Sequence, residues 1–245
     1  MRAKHALILA FLLVILIANN LYVFSLLNQK AKTTIIVRTI DGDTIVTSEG
    51  ETLRLLNINT PEKNKKGFEE AKNFLAQFEN KTIRIEITEK DKYGRSLARV
   101  FTPQYLNLEI VRQGYANKYL VQESELNEFS EAEESAIKNT LGIWEISPGS
   151  DCITSKINPE KETIKIINSC SELKFKNWIV KEEGRKEYIF SDIAFSEINL
   201  HTKNGMNNKT DIFWNSAQNI WNDDRDTLYI FDSERRLVHH NSYGY

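Results

Sequence analysis

Short apolar runs separated by polar turns fill the chain between residues 33 and 101. Runs of this length bounded by turn residues are typical of β-strands. One segment differs, because Phe68, Ala71, Leu75 and Phe78 recur at helical spacing and predict a helix over Gly67–Phe78. The predicted strands are Thr34–Ile40, Thr44–Thr47, Thr52–Ile58, Thr82–Thr88 and Leu97–Phe101.

Two more helices are predicted before the pattern changes. One lies near Leu106–Gln113, and the other spans about Ser124–Asn139 with apolar side chains on one face and glutamates on the other. Five strands with packed helices favour an OB-fold β-barrel with helices, which is an α+β fold. We place this domain at residues 33–146.

The stretch Ser147-Pro148-Gly149-Ser150 interrupts the pattern and predicts a linker. Beyond it, residues 151–245 hold strand-like runs and turns. Seven short strands with regular turns favour an all-β sandwich as a second domain. These strands are Thr163–Asn168, Leu173–Val180, Glu187–Phe190, Ile198–Thr202, Ile212–Trp214, Thr227–Phe231 and Leu237–His240.

Residues 1–30 begin with basic side chains, followed by an apolar run from Ala6 to about Leu27. A bilayer needs about 20 such residues, so the segment predicts an N-terminal transmembrane helix acting as an uncleaved signal anchor. Asn19 and Asn20 interrupt the run, which leaves a cleaved signal peptide and a buried globular helix as alternatives. We therefore expect a membrane-anchored, extracytoplasmic protein, secreted if the segment is cleaved.

Charge and cysteine content narrow the function classes. The formal net charge is −2, and residues 33–146 carry 15 basic and 19 acidic side chains. A broadly basic nucleic-acid binder is excluded, so attraction for phosphate requires a local patch or a metal ion. Cys152 and Cys170 are the two cysteines, and the sequence leaves open whether they form a disulfide.

Polar side chains flank a predicted β-hairpin in the first half of the barrel. The hairpin would bring its two ends together, so that one rim carries Asp43, Asn59, Thr60 and Glu62. An oxygen-rich cluster of this kind suits a hard cation such as Ca²⁺. The planar guanidinium of Arg54 suits a phosphate, because it binds two oxygens at once.

Three motifs in this order resemble those of the staphylococcal-nuclease-like (thermonuclease) family. They are Asp41-Gly42-Asp43-Thr44, the segment R-L-L-N-I-N-T-P-E from Arg54 to Glu62, and Asp91-Lys92-Tyr93-Gly94-Arg95. The resemblance covers about residues 33–146. It implies the OB fold and hydrolysis of DNA and RNA to products that end in 3′-phosphate.

The resemblance also implies a role for each site residue. Ca²⁺ would be held by Asp43, Asn59 and the backbone carbonyl of Thr60. Glu62 would position and deprotonate the attacking water, a role that suits a carboxylate. Arg54 and Arg95 would clamp the scissile phosphate and stabilise charge in the transition state.

Two positions depart from the family pattern. Asn59 stands where the best-known members have a second metal-binding aspartate, and we expect Asn59→Asp to tighten Ca²⁺ binding. The tyrosine pair that stacks on the nucleotide base is not matched either, and only Tyr119, at a shifted position, could replace it. Lysines around the motifs, among them Lys65 and Lys66, form either a local basic rim or solvated loops.

The second domain resembles the lamin-tail domain, an immunoglobulin-like sandwich. The similar residues include Asn177-Trp178, Leu200-His201-Thr202 and Trp221-Asn222-Asp223, and the match spans about residues 151–245. We expect this tail to be an accessory module. Its partner would be an envelope component or nucleic acid.

The leading hypothesis is a Ca²⁺-dependent nuclease that cleaves DNA and RNA at the outer face of the membrane. One alternative is a non-catalytic OB module that binds single-stranded nucleic acid, because OB barrels often bind strands without cutting them. The other is a surface tether that acts through the tail domain, with the barrel as a spacer.

Overall fold

The computed structural model describes residues 5, 12–20, 31–170 and 173–245. Residues 12–20 are helical. No helix within these ranges is long and apolar enough to cross a bilayer. The prediction of a transmembrane helix is therefore wrong. The remainder of the segment 1–30 on which that prediction rested lies outside the described residues.

A closed five-stranded barrel follows, with its strands in the order β1-β2-β3-β6-β5. Strands β3 and β6 run parallel, and the other neighbours are antiparallel. The predicted OB-fold barrel is confirmed. The strands are β1 (Ala31–Asp41), β2 (Thr44–Thr47), β3 (Thr52–Leu55), β5 (Thr82–Lys90) and β6 (Ser96–Phe101), and the two-residue strands β4 (Ile58–Asn59) and β7 (Asn117–Lys118) pair beside them.

Alternation of buried and accessible positions produces the barrel core. In β6, for example, Ser96, Ala98 and Val100 are buried and the residues between them are partly accessible, as expected where one face of a strand lines the interior. Helix side chains such as Leu75, Ile110 and Phe129 join the same core. The helices are α1 (Phe68–Ala76), α2 (Leu106–Arg112) and α3 (Leu126–Lys138), with 3₁₀ turns at Glu123–Glu125 and Ser150–Cys152.

Two four-stranded sheets form the β-rich tail, in the orders β11-β10-β14-β15 and β13-β12-β9-β8. Residues from both sheets pack into one hydrophobic core. The strands are β8 (Ile153–Asn158), β9 (Thr163–Asn168), β10 (Ile179–Lys181), β11 (Glu187–Ile189), β12 (Glu197–His201), β13 (Asp211–Phe213), β14 (Asp226–Phe231) and β15 (Leu237–Tyr243).

Two tail elements differ from the sequence prediction. Strand β8 was not predicted, since Ser155 interrupts its apolar alternation. The strand predicted over Leu173–Val180 is shorter, because Phe175 and Trp178 enter the core from a turn that precedes β10.

The tail packs directly on the barrel domain. Ala136, Ile137 and Trp144 share a buried cluster with Ile179, Tyr229, Phe231 and Leu237 of the tail. The indole of Trp144 stacks on Tyr229, with ring centroids 5.4 Å apart. The boundaries at 33–146 and 151–245 stay predictions, and the residues on either side of them share a core.

A disulfide joins Cys152 to Cys170, whose Cα atoms are 5.4 Å apart. It closes the end of the β8–β9 hairpin, where Ile153 pairs with Asn168. The structure thus decides the pairing that the sequence left open.

We expect the double replacement Cys152→Ser and Cys170→Ser to lower the free energy of unfolding by about 3 kcal/mol, because the disulfide restricts a loop of this size in the unfolded chain. Denaturant unfolding with and without reductant measures the loss. The variant should be insensitive to reductant. A wild type whose midpoint is unchanged after mass spectrometry confirms free thiols would contradict the prediction.

Candidate active site

The turn between β1 and β2 buries the carboxylate of Asp43, which is 2% exposed. Gly42 makes this possible, because a Cβ at that position would lie 2.6 Å from the Cβ of Ala71 on α1. The backbone N–H of Asp43 donates to Oδ1 of Asp41 at 3.1 Å, and Thr44 Oγ1 donates to Asp43 Oδ1 at 3.0 Å. The turn is therefore held tightly between strand and helix.

Arg54 on β3 is the cation that compensates Asp43. The register pairs Thr44 with Arg54, and the guanidinium forms an ion pair with the buried carboxylate. Its Nη2 also donates to the carbonyl of Ile58 at 3.2 Å. Burial alone would raise the pKa of Asp43, but the Arg54 charge and hydrogen bonds from Arg54, Thr60 and Thr44 lower it below its ordinary value.

Thr60 completes the cluster. Its backbone N–H and its Oγ1 both donate to Asp43 Oδ2, each at 3.2 Å. The loop that leads to Glu62 is thereby fixed to the same carboxylate that fixes Arg54. This linked set of Asp43, Arg54 and Thr60 is called the carboxylate cluster below.

Glu62 follows the carboxylate cluster and remains accessible, with 48% of its side chain exposed. Its Oε1 lies 2.5 Å from Nε of Arg185, which comes from the tail. The predicted base therefore faces an arginine that sequence reasoning did not include in the site.

Asn59 is oriented towards the tail. Its Nδ2 donates to the backbone carbonyls of Glu183 at 3.1 Å and Gly184 at 2.9 Å. Asn117 adds a third such bond, from Nδ2 to the carbonyl of Glu183 at 2.7 Å. Two carbonyl acceptors fix the amide with its nitrogen towards the tail, and Asn59 is an anchor between the two parts of the chain.

Arg95 lies on the loop before β6 and is held by Asp91 through Nε at 2.8 Å and Nη2 at 2.7 Å. Within the described part of the chain, no hydrogen bond or ion pair joins it to Asp43, Arg54 or Glu62. The structure thus brings together five of the six predicted residues in one region, namely Asp43, Arg54, Asn59, Thr60 and Glu62, with Arg95 in separate contacts.

Tyr119 lies close enough to this region for its hydroxyl to respond to the site's charges. Burial is the main cause that raises its pKa, followed by the charge of Glu182, while Arg54 and Arg185 act in the opposite direction. Its backbone N–H donates to the carbonyl of Asn57 at 2.9 Å. The side chain is only half-buried and is available as a hydrogen-bond donor.

In this arrangement, the candidate metal ligands do not fit a resident Ca²⁺ ion. Ca²⁺ takes about six to eight oxygen ligands. The Asp43 carboxylate already accepts from Thr44, Thr60 and Arg54, and Asn59 donates to the tail. Among the described residues, no group of three or more His, Cys, Asp or Glu is placed to hold a metal ion.

A turn of the tail covers the site, and the sequence predicts it only as one of the regular turns between tail strands. It lies between β10 and β11, and Gly184 closes over Glu182, whose Oε2 accepts from the Gly184 N–H at 2.5 Å. Lys181 Nζ donates to Asn117 Oδ1 at 3.3 Å and to the carbonyl of Glu182 at 2.8 Å. A turn motif does not indicate its docking surface, so no sequence signal could assign Arg185 to the site.

A buried polar network fastens this turn to the barrel. Lys118, 1% exposed, donates through Nζ to Glu133 at 2.5 Å and to Thr227 at 2.8 Å. Glu183 accepts from Thr227 at 2.8 Å and from Tyr245 at 2.7 Å. Burial is the main cause that raises the pKa of Glu183 to about 8.

We expect Asn59→Asp to destabilise the chain by about 3 kcal/mol, because a buried carboxylate would face two carbonyl oxygens with no donor of its own. Denaturant unfolding measures the change. Asn204→Asp adds the same charge at an exposed tail position and should be nearly neutral. A variant of unchanged stability that binds Ca²⁺ more tightly by calorimetry would restore the metal-ligand interpretation.

The raised pKa of Glu183 gives the stability a pH dependence. Below about pH 4.5 the group is protonated in both states, and between 4.5 and 8 only the folded chain retains the proton. Its stabilising contribution is therefore complete at low pH and is lost as the pH rises through 8. Glu183→Gln, which cannot titrate, should show a smaller decline in unfolding free energy from pH 5 to 9, and parallel pH profiles would refute this.

Chemically, the arrangement presents the accessible carboxylate of Glu62 beside the guanidinium of Arg185, while the guanidinium of Arg54 is buried and held by Asp43. Glu62 can accept a proton, while Arg54 and Arg185 carry donors suited to phosphate oxygens. Arg54 is pre-organised, since Asp43 and Ile58 fix its orientation before any ligand binds. This combination suits hydrolysis at an anionic centre.

Comparison with known proteins agrees with that chemistry. The family model of the staphylococcal nuclease homologue matches residues 52–146, which include Arg54, Glu62 and Arg95 and begin after Asp43. A thermonuclease of Staphylococcus hyicus is 30% identical over 136 residues, covering 48% of this chain and 78% of that protein. The endonuclease YhcR of Bacillus subtilis is 33% identical over 135 residues, 45% of this chain but 11% of that protein.

A third relative extends the similarity to an archaeon. An uncharacterised protein of Methanocaldococcus jannaschii is 32% identical over 145 residues, 44% of this chain and 70% of that protein. The matched part is thus slightly less than half of the present chain for each of these relatives, while two of the three are covered over more than two thirds of their length. On these matches the chain belongs to the staphylococcal nuclease family.

Proposed function

We propose that the chain hydrolyses phosphodiester bonds in DNA and RNA. The observation that carries the proposal is the carboxylate cluster, in which Asp43 binds both Arg54 and the loop that presents Glu62. A fixed cation and an accessible base are thereby linked through one buried group. Membership of the nuclease family supports the same assignment.

In the proposed reaction, Glu62 accepts a proton from water as the water oxygen attacks phosphorus. The bond from phosphorus to the 5′ oxygen breaks, and this oxygen takes a proton from solvent water while Glu62 returns its proton to solvent, so the products end in a 3′-phosphate and a 5′-hydroxyl. Arg54 stabilises the charge that develops on the phosphoryl oxygens, and its fixed orientation removes the cost of reorganisation. The partly buried side chain of Arg95 would have to leave Asp91 in order to take part.

The family resemblance implies a requirement for Ca²⁺, and the same assay with chelator and with added Ca²⁺ tests it. Since the candidate metal ligands described above do not fit a resident Ca²⁺ ion, no step of the reaction is assigned to the metal. Sequence preference should be weak, because the site offers phosphate-binding groups and no array for reading base edges.

The location and role of the tail are also proposals. The disulfide between Cys152 and Cys170 supports an extracytoplasmic location, because disulfides persist in oxidising compartments. The resemblance to a lamin-tail domain supports a binding role for residues 151–245. The contacts of the tail with Asn59 and Glu62 support a role of the tail at the nuclease site as well.

We expect Glu62→Gln to lower turnover of a fluorescent oligonucleotide about 100-fold or more, because the amide cannot accept the proton. The thermal midpoint should change little, since Glu62 is half-exposed. Glu69→Gln removes the same charge from the exposed first turn of α1 and serves as the control. Equal turnover in both variants would exclude Glu62 as the base, and retention of the strand by wild type without cleavage would favour the binding module.

A further inference from the structure

Arg185 comes from the tail and faces the proposed base across the domain junction. Its Nε lies 2.5 Å from Oε1 of Glu62, and 52% of its side chain is exposed. Both residues line a partly open cavity of about 130 Å³ between the barrel and the tail. Within the described part of the chain, no hydrogen bond or ion pair reaches Nη1 or Nη2 of Arg185. The N–H groups of these two nitrogens are therefore available to an anion beside the base.

The two predicted site arginines of the barrel are already paired with carboxylates. Arg54 is 7% exposed and forms its ion pair with the buried Asp43. Arg95 binds Asp91 through Nε and Nη2. With Glu62 included, these carboxylates outnumber the two guanidinium groups. A phosphodiester is an anion and gains negative charge on its oxygens during attack, and the barrel side of the site has no unpaired guanidinium to match it.

The other cationic side chains that line the cavity have partners away from the base. Lys65 and Arg235 both bind Glu187. Lys66 pairs with an exposed glutamate, and Lys181 donates to a backbone carbonyl of its own turn at 2.8 Å. Among the described residues that line the cavity, Arg185 is therefore the cation that contacts the reacting group.

The turn that carries Arg185 is held in place on both sides of this residue. The backbone N–H groups of Gly184 and Lys186 donate to the carboxylate of Glu182 at 2.5 and 2.9 Å. From the barrel, Asn59 donates to the carbonyl of Gly184 at 2.9 Å. The backbone of Arg185 is thus fixed before a ligand binds, and donors fixed in this way need no reorganisation during the reaction.

The tail is a permanent wall of the site. Trp144 of the barrel stacks on Tyr229 of the tail in a shared buried cluster. The buried Lys118 donates across the same junction to Thr227 at 2.8 Å. Separation of the two domains would expose the apolar cluster and remove a partner from a buried cation, both of which oppose it. Arg185 therefore stays beside the base while substrate is bound and cleaved.

We propose that Arg185 is a catalytic residue that the tail supplies to the nuclease site, so that the two domains share one active site. Its Nε orients Glu62, while Nη1 and Nη2 donate to a non-bridging oxygen of the scissile phosphate. Oε2 of Glu62 has no partner among the described residues and accepts the proton of the attacking water. The bonds that form and break are those of the proposed hydrolysis, on which this inference rests.

Steady-state cleavage of a fluorescent single-stranded oligonucleotide by the full-length chain tests the assignment. Arg185→Gln should lower kcat about 100-fold and change KM far less, because a donor aimed at the transition state is lost. Arg185→Lys should lose about tenfold, because an ammonium keeps the charge but not the planar fork. Lys186→Gln is the control, since it removes a charge from the same turn, where Nζ donates to the carbonyl of Asn219, and should leave kcat unchanged.

Two further measurements separate a chemical role from a structural one. Added guanidinium ion should restore part of the turnover of Arg185→Ala and none of the turnover of Glu62→Gln, because it replaces a guanidinium and not a base. A thymidine dinucleotide has a single phosphodiester, so the loss of kcat in Arg185→Gln should persist with this substrate. A loss that appears only with the oligonucleotide would mean that Arg185 binds a flanking phosphate, and the assignment would be wrong.

The outcomes distinguish this inference from the proposed function. If the wild type cleaves and Arg185→Gln cleaves equally fast, Arg185 takes no part in the reaction. If Arg185→Gln is faster than the wild type, Arg185 blocks the base; in both cases the inference is refuted and the nuclease function stands. A wild type that cleaves neither substrate, with Ca²⁺ or with chelator, refutes the proposed hydrolysis and this inference with it.

Discussion

The burial of the Asp43 carboxylate is the constraint on which the site depends. A buried negative charge must be stabilised by a nearby cation or by hydrogen-bond donors. Arg54, Thr60 and Thr44 provide these to Asp43. The matching also has a geometric consequence, because it locks a guanidinium and the start of the Glu62 loop to one point. The absence of a side chain at Gly42 lets the turn approach α1 closely enough to bury that point.

The tail extends this arrangement across the domain junction. Asn59, directly before Thr60, donates to two tail carbonyls, and Glu62, directly after Pro61, meets Arg185. The loop from Asn59 to Glu62 therefore contacts both the carboxylate cluster and the docked tail. The tail, which the sequence predicts to be an accessory module, also forms a wall of the candidate site.

Charge distribution explains how a slightly acidic chain can bind a polyanion. Most acidic side chains are distributed over the surface, as on the outer face of α3, whereas basic residues from both parts of the chain converge at the junction. The buried pair of Lys118 and Glu133, with Thr227 and Ser242, fixes the two parts relative to each other. The basic residues therefore come together only when the tail is docked on the barrel. A barrel domain without the tail would lose Lys181, Arg185 and Arg235.

The sequence by itself determined the barrel, its helices and most tail strands, because hydrophobic periodicity is a local property and each element must bury one face. It also predicted that Asp43, Arg54 and Thr60 lie close together, since Asp43 precedes the β2–β3 hairpin, Arg54 lies on it and Thr60 follows it. Its prediction of a membrane-spanning helix in the N-terminal segment is wrong for the described residues, where no helix is long and apolar enough to cross a bilayer. Only the tertiary structure decided the disulfide, because the pairing of Cys152 with Cys170 depends on the register of β8 against β9. It also decided the orientation of Asn59 and the place of Arg185, because both depend on contacts between residues more than a hundred positions apart.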